Sequence, residues 1–459
     1  MELVVVGLVL AAVVYGIVKD YNPQAVLALA GMAVFAFAYW AGIHPILDAK
    51  KTTGFALFDL FEVFKGIFSS RAAGLGLTIM LVAGFATYMS HIGASQALVQ
   101  VAVRPIAGIR SSYLMLAVCY LVAVFVSLFV TSATGLGLLL MVTMYPIMRN
   151  LGISPASACG VIATSQSFEI GPTQTNAIFS AGQAGLDPTS YFVDHQVWLA
   201  VPMVLVTMTL HFFWQRFCDR RDGWDPAAHR GDAAELDEKK AGEVPAPTWY
   251  ALLPIIPFVL MMTFSKLLVS DIRMSVEVAM LMSVFAGMLC ELLRSRDIRT
   301  SLAGFSNFLD GMGKVFGPVV ALIVCAEFFA ESLKAIGAID TLLHSASEAG
   351  IGSGLMTLVM VGLIVVASVI MGSGNAAFLS FSTLAPAVAA KFSVPAVTML
   401  LPMQLASSIG RTVSPIAAVI IACSGIAKIS PFVLVRRTAV PMAGALLTAL
   451  ALNYLLFMK

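Results

Sequence analysis

Gln404–Pro415 reads QLASSIGRTVSP, and its Arg411 is the only arginine or lysine between Lys391 and Lys428. The flanks are apolar or small, PAVTMLLPMQLASSIG leading in and IAAVIIACSGIA leading out. A guanidinium keeps its charge in a protein, so at membrane depth it costs at least a few kcal/mol unless an anionic or polar group meets it. Gly410 and Pro415 bracket the arginine, and backbone freed by such residues is tolerated in a bilayer only beside protein or a wet cavity. The stretch predicts a helix interrupted inside a membrane, with a substrate site at the interruption.

Composition fits that reading. The 459 residues are 59% hydrophobic and 11% charged, with a mean hydropathy of +0.93, and apolar runs of about 20 residues recur throughout. The chain is expected to be an all-α polytopic membrane protein. The net charge of +2 says nothing about nucleic acid, and no basic cluster or zinc-finger spacing suggests it as a partner. Cys119, Cys159, Cys218, Cys290, Cys325 and Cys423 have no metal or redox spacing and read as small core hydrophobes. The start, MELVVVGLVLAAVVYGIVKD, lacks a basic leader and a small-residue cleavage signal, so a retained first span is expected.

Spans are predicted near residues 2–18, 24–43 and 73–92, with an interfacial amphipathic helix in GFALFDLFEVFKGIFSSR between the last two. SYLMLAVCYLVAVFVSLFV then meets Thr131-Ser132-Ala133-Thr134-Gly135, and the second arm has only about 11 apolar residues before Pro146. That arm is too short to cross a core about 30 Å thick, so the pair predicts a re-entrant hairpin. A broken helix follows, interrupted near Gly171-Pro172, then a span near 195–215. Residues 216–247 are hydrophilic and of mixed charge, and are read as a solvated cytoplasmic linker.

The pattern then restarts. Spans are predicted near 249–269, 274–293 and 315–337, with an amphipathic GFSNFLDGMGKVF between the last two. A second hairpin has its tip at Gly372-Ser373-Gly374-Asn375, and the Arg411 helix and a last span from about 438 follow. Phe85 and Phe329 lie 244 residues apart, Ser132 and Ser373 lie 241 apart, and Pro172 and Pro415 lie 243 apart. Such an ordered series signals an internal repeat. Each half crosses the membrane an odd number of times, so the second half is expected to be inverted. Paired interrupted segments in inverted halves point to a transporter's midplane site. The division is a first repeat over residues 1–215 (scaffold over 1–110, transport region over 111–193), the linker, and a second repeat over 248–459 (scaffold over 248–350, transport region over 351–434). About 10 transmembrane helices plus two hairpins result. The arginine-rich span ends fall on one side, which by the positive-inside rule puts both termini outside and the linker in the cytoplasm.

Two hairpin tips and two helix breaks approached from opposite faces converge on hydroxyls and amides: Ser132, Thr134, Thr164, Ser165, Thr173, Thr175, Asn176, Ser373, Asn375, Ser407, Ser408, Thr412 and Ser414, with Gly374 at the second tip. Half-helix N-termini suit carboxylate oxygens, and Arg411 can hold a carboxylate in bidentate fashion. A small organic anion is the expected substrate. For single hydroxyls, close helix packing is an equally good account. For Arg411 the rival is a structural ion pair with Glu169, a residue that also suits a coupled proton. Glu327, mid-span, is read as a helix-packing or inter-subunit contact in preference to a proton relay. No catalytic triad, nucleotide motif or metal cluster is present in the sequence. An anion channel is the reading from another class.

TSATGLGLLLMVTMYPIM, GSGNAAF, SSIGRTVSP and SGIAKISPFVLVRRT closely resemble the DcuC family of anaerobic C4-dicarboxylate carriers, and GFATYMSHIGAS and HFFWQRF extend the likeness over nearly the whole chain. The family is similar to the divalent-anion/sodium symporters of the ion-transporter superfamily. The resemblance implies a homodimer in the inner membrane, scaffold and elevator-type transport domains, and substrates such as succinate, fumarate and malate. It implies no cofactor beyond a coupling proton or sodium ion. The tips here read Ser-Ala-Thr (132–134) and Ser-Gly-Asn (373–375), which departs from the Ser-Asn-Thr of those symporters.

Overall fold

A bilayer offers the backbone no water, so a spanning segment must satisfy its N–H and C=O groups within a helix. The computed structural model describes residues 8–458 apart from 10, 14, 17, 18, 20, 44, 48–50, 106–108, 110, 231–245, 267, 270, 273 and 338–351. Among the described residues every regular element is helical, and the only β-type pairing is an isolated bridge between Leu151 and Arg230. Among the described residues seven helices are long and apolar enough to cross a membrane: Pro23–Trp40, Ala56–His91, Pro188–Arg221, Val276–Ser295, Ile298–Ala335, Ser353–Met371 and Pro431–Phe457. The first expected span, 2–18, lies largely outside the described residues.

α1 (Pro23–Trp40) starts at Asn22, whose side chain caps the Ala25 amide. The amphipathic helix expected next is continuous with the span that follows it. α2 (Ala56–Arg71) passes through a π-type turn, Ala72–Gly76, into α3 (Leu77–His91). The kink sits at Gly74, at φ −95° and ψ −106°, and no residue there ends the helix. Phe55, Phe58 and Phe61 are exposed, whereas Phe64 packs edge-on to Phe328 at 5.3 Å between ring centroids. α4 (Ala94–Val103) follows a left-handed Gly93 and packs on the 3-10 turn Thr248–Ile255.

α5 (Ser112–Ser127) and α6 (Ala133–Thr143) form a helix–turn–helix, followed by α7 (Pro155–Ala163) and α8 (Thr175–Gln183), which an unwound segment separates. α9 (Val197–Arg221) extends into the stretch read as linker. That reading does not hold for its first residues. Cys218 and Asp219 are buried, and Trp224 donates its indole N–H to the Gly152 carbonyl at 2.8 Å. Residues 231–245 of the linker lie outside the described residues.

α10 (Val276–Ser295) precedes a second kinked pair, α11 (Phe305–Val315) and α12 (Leu322–Ala335), joined by a π-type turn, Phe316–Ala321. Pro318 lies in that turn, where its missing N–H is accommodated by the altered bonding. The amphipathic segment expected here also continues into the span that follows it. The two kinked pairs run antiparallel. Gly304 meets His91, Gly311 meets Thr87, Gly84 meets Phe308 and Met312, Gly76 meets Val320, and Phe64 meets Phe328. The approach is close because of small residues: a Cβ on Gly84 would lie 2.7 Å from the Phe308 carbonyl oxygen, and one on Gly311 2.8 Å from that of Ala83. At the kinks, Arg71 Nε and Nη2 fork onto the two oxygens of Glu327. Glu327 therefore bonds within its own chain, between packed helices.

α13 (Ser353–Met371) turns at Gly372, φ +63°, into α14 (Gly374–Phe381). α15 (Val397–Thr412) follows, then a break over residues 413–417, α16 (Ala418–Ala427) and α17 (Pro431–Phe457). α15 is buried on nearly all sides, and α17 packs along α9. There Arg437, 3% exposed, donates to Asp219 at 2.7 Å, and Ser154 and Ser157 also donate to Asp219.

Candidate functional site

Between α7 and α8 the chain unwinds over residues 164–174. Glu169 sits there at φ +45°, a left-handed conformation that side chains seldom adopt and that neighbours must hold. Two glutamines hold it. Gln196 Nε2 and Gln404 Nε2 both donate to the Glu169 carbonyl, at 3.0 and 3.2 Å, and Gln196 Oε1 accepts from the Gly171 amide at 2.9 Å. The Tyr191 hydroxyl donates to Gln404 Oε1 at 2.7 Å. These glutamines were missed in the sequence. The signal was available: long amides in apolar stretches beside a break are unusual, and each needs a partner.

Arg411 lies in the last turn of α15, a favourable end of the helix dipole for a cation. Its Nη1 donates to Glu169 Oε1 at 3.1 Å and its Nη2 to the Gln166 carbonyl at 3.0 Å. The guanidinium is 13% exposed and the carboxylate 5%. Glu169 Oε2 and Arg411 Nε have no partner, so the pair leaves bonding capacity unused.

Both residues line a cavity of about 1870 Å³. From the expected set, Ser132, Thr134, Thr175, Ser373 and Asn375 line it too, as do Thr131, Gln174, Ala418 and Val419. Four helix N-termini therefore face this space, those of α6, α8, α14 and α16. Ser132 and Ser373 are the N-caps of α6 and α14, and each accepts from the amide three residues on at 3.2 Å. Free N–H groups and positive dipole ends on one cavity form an environment for anions.

The other expected residues support this wall from behind. Asn176 is buried and donates to Asn375 Oδ1 at 3.2 Å and to Ser407 Oγ at 3.4 Å, tying α8 to the second tip and to α15. Gly374 lies against α15, where a Cβ would fall 2.7 Å from the Ser407 carbonyl oxygen. Ser407, Thr412 and Thr164 donate to carbonyls of their own helices, and Thr164 also meets His211 Nε2 at 2.9 Å. Ser414 donates to the Val369 carbonyl at 2.7 Å, bonding the second break to α13. Ser165, Thr173 and Ser408 are buried and do not line the large cavity. Gln174 Nε2 donates to the Ser127 carbonyl at 2.8 Å, and Gln166 Nε2 to that of Val130, fixing the frayed end of α5.

The model of the family described as "DcuC: C4-dicarboxylate anaerobic carrier" matches residues 1–458. The chain belongs to the DcuC family. It is 36% identical over 452 residues to a probable anaerobic C4-dicarboxylate transporter DcuC of Vibrio cholerae, covering 98% of this chain and 96% of the relative. To the anaerobic C4-dicarboxylate transporter DcuC of Escherichia coli it is 33% identical over 442 residues, covering 96% and 94%. Two solved structures share the fold: the YdaH transporter of Alcanivorax borkumensis (TM-score 0.58, 16% identity, 94% of this chain and 98% of that one) and MtrF of Neisseria gonorrhoeae (TM-score 0.61, 14% identity, 95% of each). With seven apolar helices and this family, the chain is a multi-pass membrane protein of a transporter family.

Proposed function

We propose that the protein is a secondary active carrier of four-carbon dicarboxylates such as succinate, fumarate and malate. The observation that carries this reading is Arg411, reaching a cavity on which four helix N-termini converge. Arg411 grips one carboxylate of the substrate, and the tips at Ser132–Thr134 and Ser373–Asn375 receive the other. Glu169 Oε1 stands where a substrate carboxylate would pair with Arg411. The arriving dianion displaces it, and Glu169 takes up a proton as it leaves, which couples movement to protons or permits exchange. Sodium at the tips is the other cation with suitable oxygen ligands.

An elevator movement fits the bonding. The two hairpins and two broken helices (111–193 and 351–434) are tied to one another by Asn176–Asn375, Gln174–Ser127, Ser414–Val369 and an edge-on Phe179–Phe378 contact at 5.8 Å. They travel as one body against a scaffold of 1–110 and 248–350, in a homodimer in the inner membrane. The antiparallel pairing of α2–α3 with α11–α12, which the sequence sets about 244 residues apart, supports inverted halves. The cavity mouth holds His91, Ala246, Glu291 and Arg294 and opens, on the basic-residue distribution, to the cytoplasm.

Counterflow in proteoliposomes tests the reading. Vesicles loaded with unlabelled succinate should take up labelled succinate without any ion gradient, or with only a proton or sodium gradient. No uptake under any gradient removes the dicarboxylate assignment. A second reading, an amino-bearing acid such as aspartate, is favoured by the unpartnered Glu169 Oε2, which an ammonium would satisfy. Labelled aspartate in the same vesicles separates the two.

A further inference from the structure

The formal charges around the cavity leave one unmatched. The described lining carries Arg294, Lys314 and Arg411 against Glu169 and Glu291. Glu169 is taken by Arg411, and Glu291 by Arg294 at 3.2 Å, with the Tyr250 hydroxyl donating to the same oxygen at 2.6 Å. Lys314, exposed on α11, has no carboxylate within ion-pair distance among the described residues. Asp310, one turn earlier, does not line the cavity.

The depth of Lys314 matters as much as its charge. Its neighbours Gly311 and Met312 pack on Thr87 and Gly84, near the middle of α3. An ammonium at that level is costly unless it faces water and meets anions. We propose that Lys314 is a second anion-contact residue, a waypoint that draws carboxylates from the mouth at Glu291 and Arg294 inward to Arg411. This rests on the cavity being the substrate path. A lysine suits a waypoint because its compact, hydrated charge has rotatable donors and imposes no forked geometry, so it holds an anion without fixing it. Low-dielectric walls focus the field of such a charge and raise the local anion concentration.

Two measurements test this. Initial rates of succinate counterflow are followed against concentration at low and high ionic strength for wild type, Lys314→Gln and Lys314→Arg. Lys314→Gln should raise KM about 5- to 10-fold, keep the maximal rate within about twofold, and flatten the salt dependence, and Lys314→Arg should restore all three. Unchanged KM and salt dependence overturn the proposal. Separately, the detergent-solubilised wild type, both faces of which the charged reagent can reach, is acylated with sulfo-NHS-acetate and its lysines are read by mass spectrometry. Lys314 should react and be protected by succinate. If exposed Lys51 and Lys334 react but Lys314 does not, the proposal falls whatever the substrate. If Lys314 reacts and is protected by lactate, a monocarboxylate, in a protein that exchanges neither succinate nor aspartate, the waypoint stands and the dicarboxylate assignment falls.

Discussion

Replacing Arg411 by alanine strands the Glu169 carboxylate. That carboxylate is 5% exposed and loses its one ion-pair partner among the described residues. The Glu169 carbonyl is pinned by Gln196 and Gln404 in a left-handed turn, so the backbone cannot carry the carboxylate away and only the side chain can swing. Breaking a buried pair by removing one member costs about 3–5 kcal/mol. Both groups here border a large cavity with room for water, which offsets some of that, and about 2–3 kcal/mol is expected. Arg411→Ala/Glu169→Gln removes the stranded charge and should recover about half of the loss. Melting in detergent, followed by tryptophan fluorescence, should rank wild type highest, the double variant next and Arg411→Ala lowest. Succinate counterflow should be absent from both variants. A double variant no more stable than Arg411→Ala would refute the pairing energetics, and normal transport by Arg411→Ala would refute the site.

Arg411→Lys should transport poorly despite keeping the charge, since one ammonium cannot replace the fork that serves both Glu169 and the Gln166 carbonyl; wild-type uptake would contradict this. Glu169→Gln should make succinate uptake insensitive to an imposed proton gradient in proteoliposomes, and an unchanged response to that gradient would reduce Glu169 to a structural partner. Gly374→Ala forces the second tip away from the backbone of Ser407 and should cost about 1–3 kcal/mol and most of the transport rate, since the contact is with main chain that cannot yield. Asp219→Ala leaves Arg437 buried with Asp222, at 2.8 Å, as its one carboxylate among the described residues, and should lower detergent stability by about 2–4 kcal/mol with little effect on KM in the protein that folds.

Much of the architecture was written locally. An apolar run must become a helix in a bilayer, so the runs predicted helices, and Ser132 and Ser373 read as tips because a serine after an apolar arm caps the next helix. Arg411 read first as a substrate contact, with pairing to Glu169 as the rival, because each is an isolated charge in an apolar neighbourhood; the structure shows the pair. Elsewhere the sequence was ambiguous. A membrane serine or threonine bonds a carbonyl one turn back as readily as it faces a cavity, so Ser373 and Ser407 look alike in the chain. Only packing put one on the cavity and the other against Asn176.

The tertiary structure also decided what looked hydrophilic and therefore solvated. Asp219 and Arg437 lie 218 residues apart, each beside other charges, and nothing local marks them as a buried pair. They bury because α9 and α17 pack side by side, and the desolvation of each is offset by the other together with Ser154 and Ser157. Arg71 and Glu327 follow the same logic across two antiparallel kinked helices whose continuity the local sequence did not reveal, since neither Gly74 nor Pro318 ends its helix. By itself the sequence determined the helices, their breaks and the isolated charges, all of which depend on residues within a turn or two. Which polar groups meet, and which are left facing the cavity, depended on contacts between residues hundreds of positions apart.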